Sequence, residues 1–258
     1  MKILFLGDIV GEKAVEELGK RLGKYKTENK IDFVIANGEN ASKGNGLCKN
    51  DAEAILSYGV DVITSGNHIW QKNDLRGFLD DCPNIIRPAN YPGECAGKGY
   101  TIADCNGYRI LVMNVCGTVF SEPLGCPFEA VSRMLKEAEG EYDMSFLDVH
   151  AEATSEKAAI ARYFDGKING VVGTHTHVMT ADEKIFSGGT GFITDLGMCG
   201  PTDSILGVKS EIVIEKLRTK MPARFEFADG EIEFQGVEFV IDADIGKSTT
   251  QQIKRIKF

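Results

Sequence analysis

The sequence predicts an α/β fold: one domain over residues 1–258, with two flanking or stacked sheets. Apolar runs alternate with amphipathic segments in both halves, the pattern of parallel strands joined by helical crossovers. In the middle, an Asn-Gly turn between two alternating runs introduces an antiparallel ribbon. No internal repeat or low-complexity linker divides the chain, and 258 residues suit one substantial core.

Residues 2–7 form an apolar strand, after which Val15, Leu18 and Leu22 recur at helical spacing with charges between them. Strand Asp32–Ala36, helix 50–58, strand Val60–Thr64 and helix 73–80 repeat the unit. Gly99–Asp104 and Tyr108–Val115 flank Asn106-Gly107, a dipeptide that accepts positive φ at both positions of a type I′ turn. Pro127 opens a helix over 127–138. Strand 144–149, helix 156–164 and strand 168–173 resume the alternation, and Thr190–Asp195 is a further strand. Ile205, Val208, Ile212 and Leu217 predict a helix over 205–218. Beyond Pro222, Phe225 and Phe227, a turn at Asp229-Gly230, Ile232 and Phe234, and then Val237, Phe239 and Ile241 predict a closing antiparallel hairpin or meander.

A composition of 43% hydrophobic and 26% charged residues is that of a soluble globular protein. The net charge of −9 opposes broad electrostatic contact with nucleic acid or anionic lipid, since both require a surplus of Lys and Arg. No apolar run is long enough for a signal peptide or a membrane span, so the expected location is cytoplasmic. The seven cysteines form no CxxC pair and read as reduced thiols. Asn40-Ala41-Ser42 matches a glycosylation acceptor only formally. Gly246-Lys247-Ser248 echoes the end of a phosphate-binding loop, but Ile241 stands where its first glycine belongs.

The chemistry gathers at strand ends. All four histidines, His68, His150, His175 and His177, follow apolar runs, and two more runs end at Asp8 and at Glu39-Asn40. In parallel sheets, ligands collect beyond the carboxyl ends of the strands. Imidazole nitrogens with carboxylate and amide oxygens suit divalent first-row metals, and a close metal pair needs one ligand that bridges both ions. Glu39 is the candidate bridge. Asp8, Asn40 and His177 complete one shell, and Asn67, His150 and His175 the other. A locally extended Thr174–His177 segment would send both imidazoles to one side.

The ordered set Gly7-Asp8, Gly38-Glu39-Asn40, Gly66-Asn67-His68, His150 and His175-Thr176-His177 resembles the calcineurin-like metallophosphoesterase superfamily. Residues 32–40, 87–92, 150–157 and 173–178 are similar to its bacterial YmdB-like branch, and the resemblance covers essentially the whole chain. It implies an α/β/β/α sandwich of two mixed sheets flanked by helices. Two departures from the superfamily matter: Asp8 is not followed by the usual Asp-x-His imidazole, and Glu39 replaces the bridging Asp. The branch shares both features and implies that Asn40 takes the vacant coordination place. The resulting oxygen-rich shell fits iron or manganese at least as well as zinc. Two bound ions would orient a phosphoryl group and bring a water toward ionisation near neutral pH. By resemblance His68 would protonate the departing alkoxide, a role that imidazole's titration near pH 7 supports. The substrate implied is a small phosphodiester, notably a 2′,3′-cyclic nucleotide.

Rival readings of the same residues are a phosphomonoesterase, an amidohydrolase, or a regulatory nucleotide-binding protein with little turnover. Trp70 reads equally as a pocket wall or as packing, and Arg87 and Asn90 as phosphate contacts or as supports of a Pro-flanked loop. Glu152, Thr154 and Glu156 just after His150 are expected to serve the start of the next helix, capped through Thr154 or Ser155. Asp195 reads as a strand-end loop residue, with orientation of a ligand imidazole as the alternative. Homo-oligomerisation stays open.

Overall fold

Along β1 (Lys2–Val10), Ile3 and Phe5 face one side, Leu4 and Leu6 the other, and all four are fully buried. A strand apolar on both faces needs cover on both, and that requirement sets the layers. The computed structural model describes residues 1–243 and 248–258, so Gly246 and Lys247 of the Gly-Lys-Ser stretch lie outside the described residues.

On one edge of β1 lie β2 (Phe33–Asn40) and then β3 (Val62–Thr64), both parallel. The opposite edge is shared by β12 (Gln235–Asp242), antiparallel to its first half, and β10 (Met198–Pro201), parallel to its last residues. Antiparallel β13 (Thr249–Lys257) and β11 (Ile232–Glu233) complete this seven-stranded sheet. The second sheet runs β4 (Tyr100–Cys105), β5 (Tyr108–Cys116), β6 (Met144–His150), β7 (Gly170–Thr174), β9 (Gly191–Ile193) and β8 (Lys184–Ile185). Only its edge strands β4 and β8 pair antiparallel.

Ile3, Phe5, Ile35 and Phe239 of the first sheet meet Val112, Phe146, Val172 and Ile193 of the second in one apolar layer between the sheets. The outer face of the first sheet packs against α1 (Glu12–Asn29), α2 (Lys49–Ser57) and α3 (Asn73–Phe78) through Leu18, Leu22, Ile55 and Leu75. Helices α4 (Pro127–Glu137) and α5 (Thr154–Tyr163) cover the second sheet through Val131, Met134, Ile160 and Ala161. The architecture is α/β/β/α, as the sequence predicts.

Two local readings are corrected. Residues 205–209 do not join α6, which spans Ser210–Thr219, because Ile205 and Val208 pair across Leu206-Gly207, both at positive φ (53° and 89°). That left-handed pair cannot continue a right-handed helix. The closing hairpin is β12 with β13. Across Asp229-Gly230 no hairpin forms, because Phe227 bridges to Val208 and Ile232 pairs with Pro201.

Candidate metal centre

Every candidate ligand lies at or just beyond the carboxyl end of a parallel strand. Asp8 falls in β1 where the register against β2 slips, a bulge that re-aims its side chain. Glu39 and Asn40 are the last residues of β2, Asn67 and His68 follow β3, His150 ends β6, and His175 and His177 follow β7. Gly66 lets the chain after β3 close on the site, since a Cβ there would overlap the His150 ring and Glu39 Oε2.

One cluster converges on a single nitrogen. His150 Nε2 lies 3.1 Å from Asn67 Oδ1, 3.1 Å from Glu39 Oε1 and 3.0 Å from His175 Nδ1. The ligating atoms of Glu39, His150 and His175 all fall within 4.8 Å of one another. The other side of the His150 ring is fixed: Nδ1 donates to Thr174 Oγ1 at 2.8 Å, and the threonine hydroxyl donates to Asp148 Oδ1 at 2.7 Å. Buried Asp148 also accepts from Thr64 Oγ1 and Asn37 Nδ2. Such outer partners hold a ring and its tautomer so that the opposite nitrogen can ligate.

The second cluster adjoins it. Buried Asp8 Oδ1 has no hydrogen-bond partner among the described residues and lies 3.9 Å from His177 Nε2, while Oδ2 accepts the His175 amide. Asn40 Nδ2 is 3.0 Å from Glu39 Oε1 and 3.2 Å from His177 Nε2, and its Oδ1 is 2.9 Å from His68 Nδ1. The Leu206 carbonyl accepts from His177 Nδ1, leaving Nε2 free for a ligand. An orphaned buried carboxylate oxygen beside a free imidazole nitrogen and Glu39 is a donor set that a cation satisfies.

The electrostatics agree. Burial pushes Asp8 up to about 6, helped by Glu39 and Asp195 and opposed by the imidazoles of His177 and His150. For Glu39 burial acts upward too, but His150 and His68 overcome it and hold the carboxyl well below its ordinary range. Burial would lower His150, yet Glu39, Asp8 and Asp148 outweigh that and raise it to about 9. His175 falls to about 3 through burial and then the charge on His150. These charges favour a proton on His150 between carboxylates, the place where a cation would compete with it.

The structure thus brings Glu39, Asn67, His150 and His175 together, with Asp8, Asn40 and His177 beside them and His68 at the rim. The expected extended Thr174–His177 segment is not observed. The strand ends at Thr174, and His175 and His177 take φ of 99° and 63°, so the imidazoles turn to different partners. Left-handed histidines are sterically costly, and buried groups lock this loop: Lys157 Nζ donates to Asp195 Oδ2 at 2.7 Å, and the Thr176 amide donates to the same oxygen. Asp195 therefore supports the loop and does not contact an imidazole.

Arg87 donates to the carbonyls of Pro88, Cys95 and Ala96, and Asn90 ties Cys116 to Gly125, so both brace the loop and neither faces the ligands. Trp70 packs edge-on against Tyr91, with centroids 5.4 Å apart. Neither Thr154 nor Ser155 caps α5. The N-cap position is Ala153, and Glu156 instead accepts the amides of Thr118 and Val119. The sequence reading missed Asp148, although it stands two residues before His150 on an apolar strand and so on the same face. Lys157 carried no such signal.

Among the described residues, no helix is long and apolar enough to cross a membrane. The family described as YmdB-like protein matches residues 4–256. A Bacillus subtilis (strain 168) protein named 2′,3′-cyclic-nucleotide 2′-phosphodiesterase is 44% identical over 256 residues, 99% of this chain and 96% of that protein. A crystal structure described as a novel phosphatase from Mycoplasma pneumoniae superposes with a TM-score of 0.91 at 31% identity, covering 100% of this chain and 93% of the other. The calcineurin-like phosphoesterase YfkN from Bacillus subtilis has a TM-score of 0.61 at 13% identity, covering 100% and 90%, a likeness of fold.

Proposed function

Because the chain belongs to the YmdB-like protein family, we propose that it is a metal-dependent phosphodiesterase that opens 2′,3′-cyclic nucleotides at a two-metal centre. The observation that carries the reading is the convergence of Asn67, Glu39 and His175 on His150 Nε2, beside the unpartnered Asp8 oxygen. Asp8, Asn40 and His177 would hold one ion and Asn67, His150 and His175 the other, with Glu39 offering an oxygen to each. Iron or manganese suits the oxygen-rich first shell, and zinc the second. Bound ions supply the positive charge that orients a phosphoryl group and acidifies water.

The chain's own residues do the rest. Asp148 and Thr174 keep His150 Nε2 facing the centre. Asn40 Oδ1 lies 2.9 Å from His68 Nδ1 and accepts its N–H hydrogen bond. With Nδ1 so occupied, His68 at the partly exposed rim would, as the imidazolium, pass its Nε2 proton to the departing alkoxide and be left as the neutral ring.

Turnover of a 2′,3′-cyclic nucleotide, a simple phosphomonoester and an amide in one iron- or manganese-loaded preparation tests the reading. It predicts that the cyclic diester is hydrolysed fastest. Preference for the monoester or the amide would assign the same ions to a different hydrolase. Tight nucleotide binding without product would leave a regulatory binding protein.

A further inference from the structure

Tyr91 is placed with unusual care for a loop residue. Arg87 spends its guanidinium on three loop carbonyls, and Asn90 clamps Cys116 and Gly125, so the segment before Tyr91 is fixed from two sides. Trp70 meets its ring edge-on. Thus oriented, the Tyr91 hydroxyl is enclosed by protein, yet it has no hydrogen-bond partner among the described residues. Buried hydroxyls are nearly always paired, and an unpaired one marks a place that a ligand completes.

The surroundings say which ligand. Tyr91 lines a chamber of about 10 Å³, room for about one water, together with Asn67, His150 and His175. Tyr91 and Leu124 also line a groove of about 970 Å³ that continues between the 87–100 loop and α4. Lining both, they stand between the chamber that the candidate ligands share and this groove. A cyclic nucleotide whose phosphate reaches Asn67 and His150 while its body lies in the groove passes Tyr91. Burial, and then Cys116 and Glu122, push the phenol well above its ordinary range against the opposing indole N–H of Trp70, which can donate but not accept, so at neutral pH the hydroxyl is a donor and not a base.

We propose that Tyr91 is a substrate-binding residue whose hydroxyl donates a hydrogen bond to a non-bridging phosphoryl oxygen of the diester, on the Asn67–His150–His175 side of the centre. The assignment rests on the phosphodiesterase reading. Its anionic acceptor is complementary to a neutral donor that no protein group satisfies.

Tyr91→Phe, which keeps the ring and its Trp70 contact, tests this against the metal-loaded wild type with two substrates: a 2′,3′-cyclic nucleotide and bis(p-nitrophenyl) phosphate, which lacks the sugar and base. The expected result is a fall in kcat/KM of roughly 10- to 100-fold on both diesters, the worth of one bond to a charged group. Metal content stays the same. Thermal stability is unchanged or higher, because an unpaired buried hydroxyl has been removed; a merely structural role would move Tm and leave kcat/KM. Values of kcat/KM within twofold of wild type on both diesters overturn the assignment. So does a loss confined to the nucleotide, which would move the contact to the sugar or base. If the metal-loaded wild type itself turns over neither diester, the phosphodiesterase reading has failed, and the two failures are thereby told apart.

Discussion

Replacing Lys157 with Met asks whether a buried ion pair holds the histidine loop in shape. Lys157 and Asp195 are 0% and 1% exposed, and their charged atoms are 2.7 Å apart. Methionine fills most of the lysine's apolar volume, so the main loss is the ammonium. Breaking a buried pair by removing one partner costs about 3–5 kcal/mol, because a charge is left uncompensated. Asp195 keeps the amides of Thr176 and Gly197 as donors, which places the expected cost near the lower end, about 3 kcal/mol. For a chain of this size that is a fall in Tm of about 6–12 °C. Calorimetric melting with a chelator present reads it without the stabilisation that bound metal adds. Because Thr176 stands between His175 and His177, metal affinity should also drop, by about 10- to 100-fold. Adding Asp195→Leu should recover part of the stability, since no charge is then stranded, but not the affinity. A single variant that melts within 2 °C of wild type, or a double variant that melts below it, would refute the reasoning.

Gly66→Ala sets a methyl against the His150 ring and Glu39 Oε2, and should cost about 1–3 kcal/mol with at least a tenfold weaker metal uptake; unaltered uptake would contradict the packing. His68→Ala should keep both metals and lose most activity, whereas Glu39→Ala should lose both; elemental analysis after gel filtration separates the two, and metal loss in the His68 variant makes that residue a ligand. Metal uptake should depend on pH in a stated direction. With His150 raised to about 9, the metal-free protein carries a proton there at neutral pH that an ion must expel, so affinity rises about tenfold per unit between pH 7 and 9 and levels off above. Asp8, raised to about 6, adds a second competing proton below that pH and steepens the fall on acidification. Calorimetric titrations across this range that return one constant affinity would show that His150 is not displaced by metal.

What the sequence revealed and what it hid follow from the range of each interaction. Strands such as β1 and β6 were legible because burial on both faces demands unbroken apolar runs. The turn at Asn106-Gly107 was legible because its left-handed pair (φ 56° and 86°) demands those residues. The clustering of the candidate ligands at strand ends was legible because parallel strands aim their carboxyl ends at one edge. Hidden were features that depend on a distant partner. β13 alternates only weakly, with Thr250 and Ile256 buried among polar neighbours, as an edge strand can. The start of α6 was misplaced because Leu206-Gly207 turns where apolar spacing alone extended the helix back to Ile205. The arrangement of His175 and His177 was misjudged because their left-handed backbone is imposed by Asp195 and Lys157, from other elements. Arg87 and Asn90 could not be assigned until their carbonyl partners were visible.

The central claim is that two ions lie side by side with Glu39 between them. Anomalous scattering from iron- or manganese-loaded crystals, collected at both metal edges, tests it most directly. The account predicts two peaks about 3.5–4 Å apart, one against Asp8, Asn40 and His177 and one against Asn67, His150 and His175, with a Glu39 oxygen on each. A single peak in fully loaded crystals, or a pair that Glu39 does not join, would contradict it.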